Sequence, residues 1–317
     1  MSWVVWVTKP MMSTYHRSVL LHESLDVLGI IPDGVYVDVT FGGGGHSKEI
    51  LNRLGPNGKL IAFDQDSDAV ANAIDDHRFT LVKQNFRNLK SALQQLQVKQ
   101  VDGLLADLGV SSHQFDTAER GFSIRMEGPL DMRMNKEGEL TAADVLGNYE
   151  MHQLRHIFRL YGEVDNAGLL AKKIVEGRMT SELQTVEDLR KILTPLSKKG
   201  KENQYMAKVF QALRIEVNGE LEALREMLTH ALEIVKEEGR LVVISYHSLE
   251  DRLVKNFFRS GTFEGETEKD FYGNLIRPLE PLGSKPIVPT EEEIELNPRA
   301  RSAKMRVATK NKPPIAV

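Results

Sequence analysis

Short apolar runs alternate with helical stretches along the first third of the chain. Val35 to Val39, Lys59 to Phe63, Phe79 to Gln84 and Val101 to Ala106 are each brief and rich in β-branched or aromatic residues, and they predict strands. After the first of them, Ser47 to Leu54 repeats its apolar positions at helical spacing. Strands and helices in this alternation predict a parallel sheet covered by helices. The next convincing strand is Arg240 to Ser245, then a helix from Tyr246 to about Arg259, and Ser302 to Thr309 is the last strand. Far more chain separates Asp107 from Arg240 than a compact sheet needs for a connection. That stretch carries helical patterns at Ala142 to Leu160, Ala167 to Arg178, Thr185 to Leu193 and Gln204 to Lys236, the last broken near Gly219. The expected organisation is therefore a sheet domain in two parts, residues 1–115 and 219–317, with a mainly helical domain, 116–218, inserted between them. Ser197 to Asn203 reads as a mobile basic loop, Gly261 to Pro298 as a long irregular excursion, and Lys310 to Val317 as a frayed tail.

The strand ends carry the candidate chemistry. The first strand runs straight into Gly42-Gly43-Gly44-Gly45 and a helix start, a turn where backbone approaches a ligand and free N–H groups point at it. The second strand ends at Asp64, placed to hold a ribose hydroxyl pair. The third ends at Asn85-Phe86, where a ring can stack on adenine, and the fourth at Asp107. Polar groups thus recur on the edge where open α/β sheets bind ligands. Two adenosine cofactors compete for such a site. The dinucleotide fingerprint counted from Gly42 fails at Ser47. Asp38-x-Thr40-x-Gly42-x-Gly44 instead fits the turn of S-adenosylmethionine enzymes, and a carboxylate at Asp38 would repel a pyrophosphate yet attract an ammonium group.

Composition narrows the chemistry. The chain has 317 residues, 41% of them hydrophobic, enough for a substantial core. No apolar run reaches the ~20 residues that span a bilayer. Met1 to Pro10 is apolar but has neither a basic leader nor a clear cleavage site; it reads as an extension before the more ordinary beginning at Met11-Met12, and a cytoplasmic protein is expected. There is no cysteine, which removes disulfides, thiolate metal sites and the thiolate nucleophile that methylation of a pyrimidine at carbon 5 usually needs. If a base is alkylated, an exocyclic nitrogen or a ribose oxygen is the better acceptor. The net charge of −4 gives no global signal for nucleic acid, so any such surface must be local.

Seven ordered blocks resemble a known family, the bacterial methyltransferases that modify the exocyclic N4 of a cytosine in small-subunit (16S) ribosomal RNA. They are His16 to Leu21, Thr40 to Ser47, Leu108 to Ser112, Glu119 to Ser123, Gly128 to Met134, His247 to Arg252 and Asn297 to Ser302. The resemblance runs from about His16 to Thr309. It implies an α/β, class I (Rossmann-like) S-adenosylmethionine-dependent methyltransferase fold with an inserted substrate-recognition domain. It also implies donor contacts at Gly44, Gly45, His46, Asp64, Phe86, Asp107 and Gln114. His46 and Gln114 come from the resemblance alone; the residues themselves had pointed to the glycines, Asp64, Phe86 and Asp107. The implied partner is 16S rRNA within the small ribosomal subunit or a late precursor.

The lone pair of a cytosine amine is delocalised into the ring, so an acceptor holding one N–H would help it meet a sulfonium methyl in line. Asp107 and nearby backbone carbonyls are the candidates, with donor binding or turn stabilisation as the competing role for Asp107. DNA amino-methyltransferases carry Pro-Pro-aromatic after this acidic position; here it is Leu108-Gly109-Val110, so their geometry does not transfer. His247, after a strand end, is either a second titratable group or a structural histidine. No His/Asp/Glu spacing makes a strong metal site, and chemistry without metal is expected. Arg120, Arg125, Arg133 and Lys136, and the run Arg299, Arg301, Lys304, Arg306, Lys310 and Lys312, are the candidate RNA contacts. Two other classes of function remain: a nicotinamide-dependent oxidoreductase, which leaves Asp38 unexplained, and an RNA-binding assembly factor that keeps the fold without the chemistry.

Overall fold

Alternate residues of each buried strand face opposite layers, and this period of two organises the molecule. The computed structural model describes residues 18–312 apart from 270, 272 and 274. Met1 to Pro10, His16-Arg17 of the first block and the tail beyond 312 lie outside the described residues. The chain begins with α1 (Leu21–Leu28), β1 (Val35–Asp38), α2 (Gly45–Arg53), β2 (Lys59–Asp64), β3 (Phe79–Lys83), α3 (Leu89–Gln95) and β4 (Val101–Asp107). Val37, Ile61, Phe63, Leu104 and Ala106 point into one core, and Tyr36, Leu60 and Leu105 into the other. α1 and α2 cover the second face through Leu25, Leu28, Ile50 and Leu51. α3 covers the first through Leu89 and Leu93.

Next come α4 (Ser112–Asp116), α5 (Ala142–Asn148), α6 (Met151–Leu160), α7 (Ala167–Arg178), α8 (Val186–Leu193), α9 (Glu202–Asn218) and α10 (Glu220–Ile234). A separate core runs from Phe122 to Leu213, with Leu146, Leu154, Phe158, Ile174, Leu189 and Val209 fully or nearly fully buried, inside the stretch expected as an insertion. α10 belongs to the sheet's core through Leu224, Leu228 and Ala231. The chain then enters β5 (Val235–Ser245), α11 (Ser248–Ser260), a small hairpin of β6 (Glu268–Lys269) and β7 (Leu275–Ile276), β8 (Leu279–Pro281), α12 (Glu291–Leu296) and β9 (Lys304–Lys310). The sheet order is β3-β2-β1-β4-β5-β9-β8. β1 to β5 run parallel, while β9 lies antiparallel between β5 and β8. This is the expected α/β class I architecture, and its strand order reverses direction between β1 and β4.

Several expectations change in detail. The helix expected over Ala142 to Leu160 is two, because Tyr149 is extended and Glu150 starts a new capping box with Gln153. The break near Gly219 is a left-handed glycine, φ +55°, that ends α9 and begins α10. The last strand before α11 begins at Val235 rather than Arg240, with an irregularity opposite Val101 to Gly103 that periodicity does not reveal. Gly261 to Pro298 is not wholly irregular: it contributes β8 to the sheet edge and α12, whose Thr290 cap accepts from Glu293 N. α1, eight residues long, is too short to show a clear pattern in the sequence.

Candidate functional site

Five strand ends converge on one edge of the sheet, ordered Phe86, Asp64, the glycine turn, Asp107 and Tyr246. The turn is held from below by Asp38. That residue is fully buried; one oxygen accepts from Ser47 Oγ at 2.7 Å and the other from Thr40 N at 3.1 Å. Burial pushes its pKa up, against the pull of those hydrogen bonds. Asp38 therefore braces the turn and does not reach out to an ammonium group, which corrects the sequence reading. Gly44 caps α2 with φ +76°, a conformation suited to glycine, and no side chain caps the helix. Its first-turn N–H groups are left for a ligand.

Each residue named for the donor lies on this edge or just beyond it. Gly45 opens α2 and His46 is buried in its first turn. His46 Nε2 lies 3.1 Å from the Val19 carbonyl, which can only accept, so Nε2 carries the hydrogen. The other nitrogen, Nδ1, then turns its lone pair toward Asp107 Oδ2, 3.8 Å away. Burial lowers the His46 pKa, outweighing the attraction of Asp107. Asp64 ends β2 and accepts from Gly42 N and Asp66 N, both at 2.8 Å. Burial raises its pKa to about 6. Phe86 is half-buried in the turn after β3, against the core. Gln114 is buried in α4. It accepts from Ser111 N and donates to Asp66 Oδ2 at 2.7 Å, so it holds the loop that follows Asp64. Beside Asn85, a cleft of about 410 Å³ lined by Gln65, Arg87, Arg133 and Asn218 continues toward the helical insertion.

Asp107 ends β4 with its side chain about one-fifth exposed. Its N–H donates to Thr40 Oγ1 at 2.7 Å, and Tyr246 donates its hydroxyl hydrogen to Oδ1 at 2.7 Å. Its pKa rises to about 6 because burial, reinforced by Asp38 and Glu250, outweighs His46 and the Tyr246 hydrogen bond. Sequence reasoning missed Tyr246. It follows a strand end, the position that marked the other site residues, but its reach depends on β5 pairing with β4. This edge thus carries the carboxylates of Asp64 and Asp107, a setting that complements a cationic sulfonium.

The remaining candidates divide. His247 caps α11, its Nδ1 accepting from Glu250 N at 3.4 Å, so the histidine has a structural role. Glu220, His247 and Glu250 bring ligand-type atoms within 4.8 Å of one another. Arg214 donates to both Glu220 oxygens, at 2.9 and 3.0 Å, and supplies a cation there. Among the proposed RNA contacts, Arg120 is buried on Asp66 and is not a surface group. Lys136 pairs with Asp68 and Arg133 with Asp131. The C-terminal run is tied to acids elsewhere: Arg299 to Asp116, Lys304 and Arg306 to Asp251, Lys312 to Glu238. Arg125 and Arg301 stay exposed, with no ion pair among the described residues.

The chain matches the MraW methylase family over residues 13–311. It is 56% identical over 296 residues to Ribosomal RNA small subunit methyltransferase H of Flavobacterium johnsoniae, covering 93% of this chain and 98% of that protein. Its identity to the protein of the same name from Christiangramia forsetii is 57% over 296 residues, again covering 93% and 98%. The identity to the one from Bacteroides thetaiotaomicron is 56% over 297 residues, covering 94% and 98%. A methylase family leaves no place for the nicotinamide reading, and the uncapped glycine turn with its carboxylate-lined edge fits the methyl donor. The chain belongs to the MraW methylase family, and its cofactor is S-adenosylmethionine.

Proposed function

We propose that this protein methylates the exocyclic N4 of a cytosine in 16S rRNA, in the small ribosomal subunit or a late precursor, by direct in-line transfer in the cytoplasm. The observation that carries the reading is near full-length identity of more than half to proteins named as small-subunit rRNA methyltransferases. The site adds support. Bound S-adenosylmethionine supplies an electrophilic methyl group on a sulfonium. Gly44, Gly45, His46, Asp64, Phe86, Asp107 and Gln114 are the residues we assign to hold it. Asp64 and Asp107 both have a raised pKa and partial exposure, but Asp107 is the one that runs directly into the loop Leu108-Gly109-Val110, and we assign it as the acceptor for the amine N–H. Above about pH 6 it is a carboxylate and can draw one N–H, leaving the nitrogen lone pair freer to attack. The chain has no cysteine, which fits transfer without a covalent enzyme intermediate. Residues 116–218 would serve as the substrate-recognition unit between the donor-binding parts 1–115 and 219–317. Exposed Arg125, Lys198, Lys199, Lys201 and Arg301 are the cations best placed to meet RNA phosphate.

The test is to incubate the protein with radiolabelled donor and small subunits from cells lacking this activity, then to analyse nucleosides. Label in N4-methylcytidine is expected. Label in another nucleoside would keep the methyltransferase and remove the cytosine assignment. Donor binding with no transfer to subunits or earlier precursors would instead support an assembly factor.

A further inference from the structure

We propose that Tyr246 is a positioning residue whose hydroxyl holds the Asp107 carboxylate in its working orientation and favours its charged form. The proposal rests on the assignment of Asp107 to the reacting end of the donor site.

The geometry begins in the sheet. Asp107 pairs with Ile244 across β4 and β5, so Tyr246, just past the end of β5, stands beside the carboxylate. Its ring packs over Gly109, where a Cβ would come within 3.3 Å of a ring atom and the backbone has φ +109°. Its own N–H is fixed by Glu250 Oε2 at 2.9 Å. Ring and backbone are thus both held, and the hydroxyl meets Asp107 Oδ1 at 2.7 Å. This is the one side-chain hydrogen bond donated to Asp107 among the described residues, since His46 faces the other oxygen with a lone pair. Burial keeps the phenol protonated far above neutrality, so Tyr246 is a donor at every working pH. The ionisable groups that face Asp107 are Asp38 on β1, His46 on α2 and Glu250 on α11, with Glu293 of α12 near Tyr246. Asp38 and Glu250 disfavour the charge by repulsion; His46 favours it through space, but its Nδ1 lies 3.8 Å from Oδ2, beyond hydrogen-bond reach. Tyr246 is therefore the group that supports the carboxylate through a hydrogen bond.

The experiment compares affinity for cationic S-adenosylmethionine with affinity for neutral S-adenosylhomocysteine between pH 5 and 8, by calorimetry on the full chain. Taking the ratio cancels groups that act on both ligands alike, such as Asp64. In the wild type the ratio is expected to rise with a midpoint near 6, where Asp107 ionises. Tyr246→Phe keeps the ring and its packing, and should move the midpoint up by about one pH unit, the effect of removing one hydrogen bond to a carboxylate. Asp107→Asn should abolish the midpoint. A Tyr246→Phe curve that superimposes on the wild type, or a midpoint that survives Asp107→Asn, overturns the proposal. No RNA enters the measurement, so an error in the cytosine assignment would leave its outcome unchanged and is detected separately by the nucleoside analysis.

Discussion

Arg120 offers a quantitative test of how the donor site is held. Its guanidinium donates to Asp66 Oδ2 at 2.7 Å, to Asp68 at 3.1 Å and to the carbonyls of Arg133 and Met134 at 2.9 and 3.1 Å. The side chains of Arg120 and Asp66 are each only 5% exposed. Asp66 in turn donates its N–H to Asp64, the carboxylate we assign to the donor. Arg120→Met keeps the apolar stem but leaves the buried Asp66 carboxylate without its cation, held only by Gln114 and Asp68 N among the described residues, and leaves two carbonyls without their donor. Removing one partner of a buried pair costs about 3–5 kcal/mol. The expected result is a loss of that size in urea unfolding of the donor-free protein. Asp66→Asn made together with Arg120→Met should cost clearly less than the sum of the single changes. Donor affinity should also fall, because Asp64 loses its support. A filter-binding assay against salt gives the opposing outcome: a phosphate contact would lower the salt slope by about one when removed, whereas a buried brace leaves it unchanged. A variant as stable as the wild type, or one with a reduced slope, would refute the reasoning.

Two further outcomes follow from the site. Phe86→Ala should weaken S-adenosylhomocysteine binding by about 1–3 kcal/mol if its ring stacks on adenine, measured by titration calorimetry; unchanged affinity would remove Phe86 from the site. Asp107→Asn should change how stability depends on pH. The native Asp107 pKa, about 6, lies above its ordinary value of 3.8, so its contribution to stability is fully present below about pH 4 and lost as pH rises through 6. The stability of the wild type minus that of the variant should therefore fall over that range, by at most about 3 kcal/mol given the partial exposure of the carboxylate, and then level off. A difference that rises with pH in urea titrations would contradict the burial argument.

The glycine turn and the strand ends that carry the candidate donor residues were legible in the sequence because their information is local. A strand, a glycine turn and a helix start are neighbours in the chain, and Asp64, Phe86 and Asp107 each end a recognisable apolar run. The fold class followed from the same alternation. Pairing across the molecule was not legible. Arg120 looked like one cation among several, and only its burial on Asp66, 54 residues away, shows that it is structural. Asp38 looked like a ligand carboxylate, but the hydroxyl that faces it belongs to Ser47, one turn into α2. The basic C-terminal run looked unopposed because Asp116, Asp251 and Glu238 lie far from it along the chain. β8 and α12 were hidden by Gly- and Pro-rich composition, which marks turns but does not show that the chain returns to the sheet edge between them.

The same long-range contacts explain why an insertion can stand at the end of β4 without loosening the site. The chain leaves the sheet at Asp107 and returns through α10 to β5, beside the strand it left. Both ends of the excursion are tied together: Asn218 at the end of α9 donates to the Met132 carbonyl at 2.8 Å and accepts from Met134 N at 2.7 Å. The outgoing end is tied to the donor site, since Arg120 spans Asp66 and the carbonyls of Arg133 and Met134. The loop after Asp64, the entry loop and the exit helix therefore form one hydrogen-bonded unit, tied in at the end of β4 where Asp107 stands. A substrate docked on the helical insertion would be registered against Asp107 by side chains, not by the length of two loops, and a positioning precision of this kind is what methyl transfer between two bound partners demands.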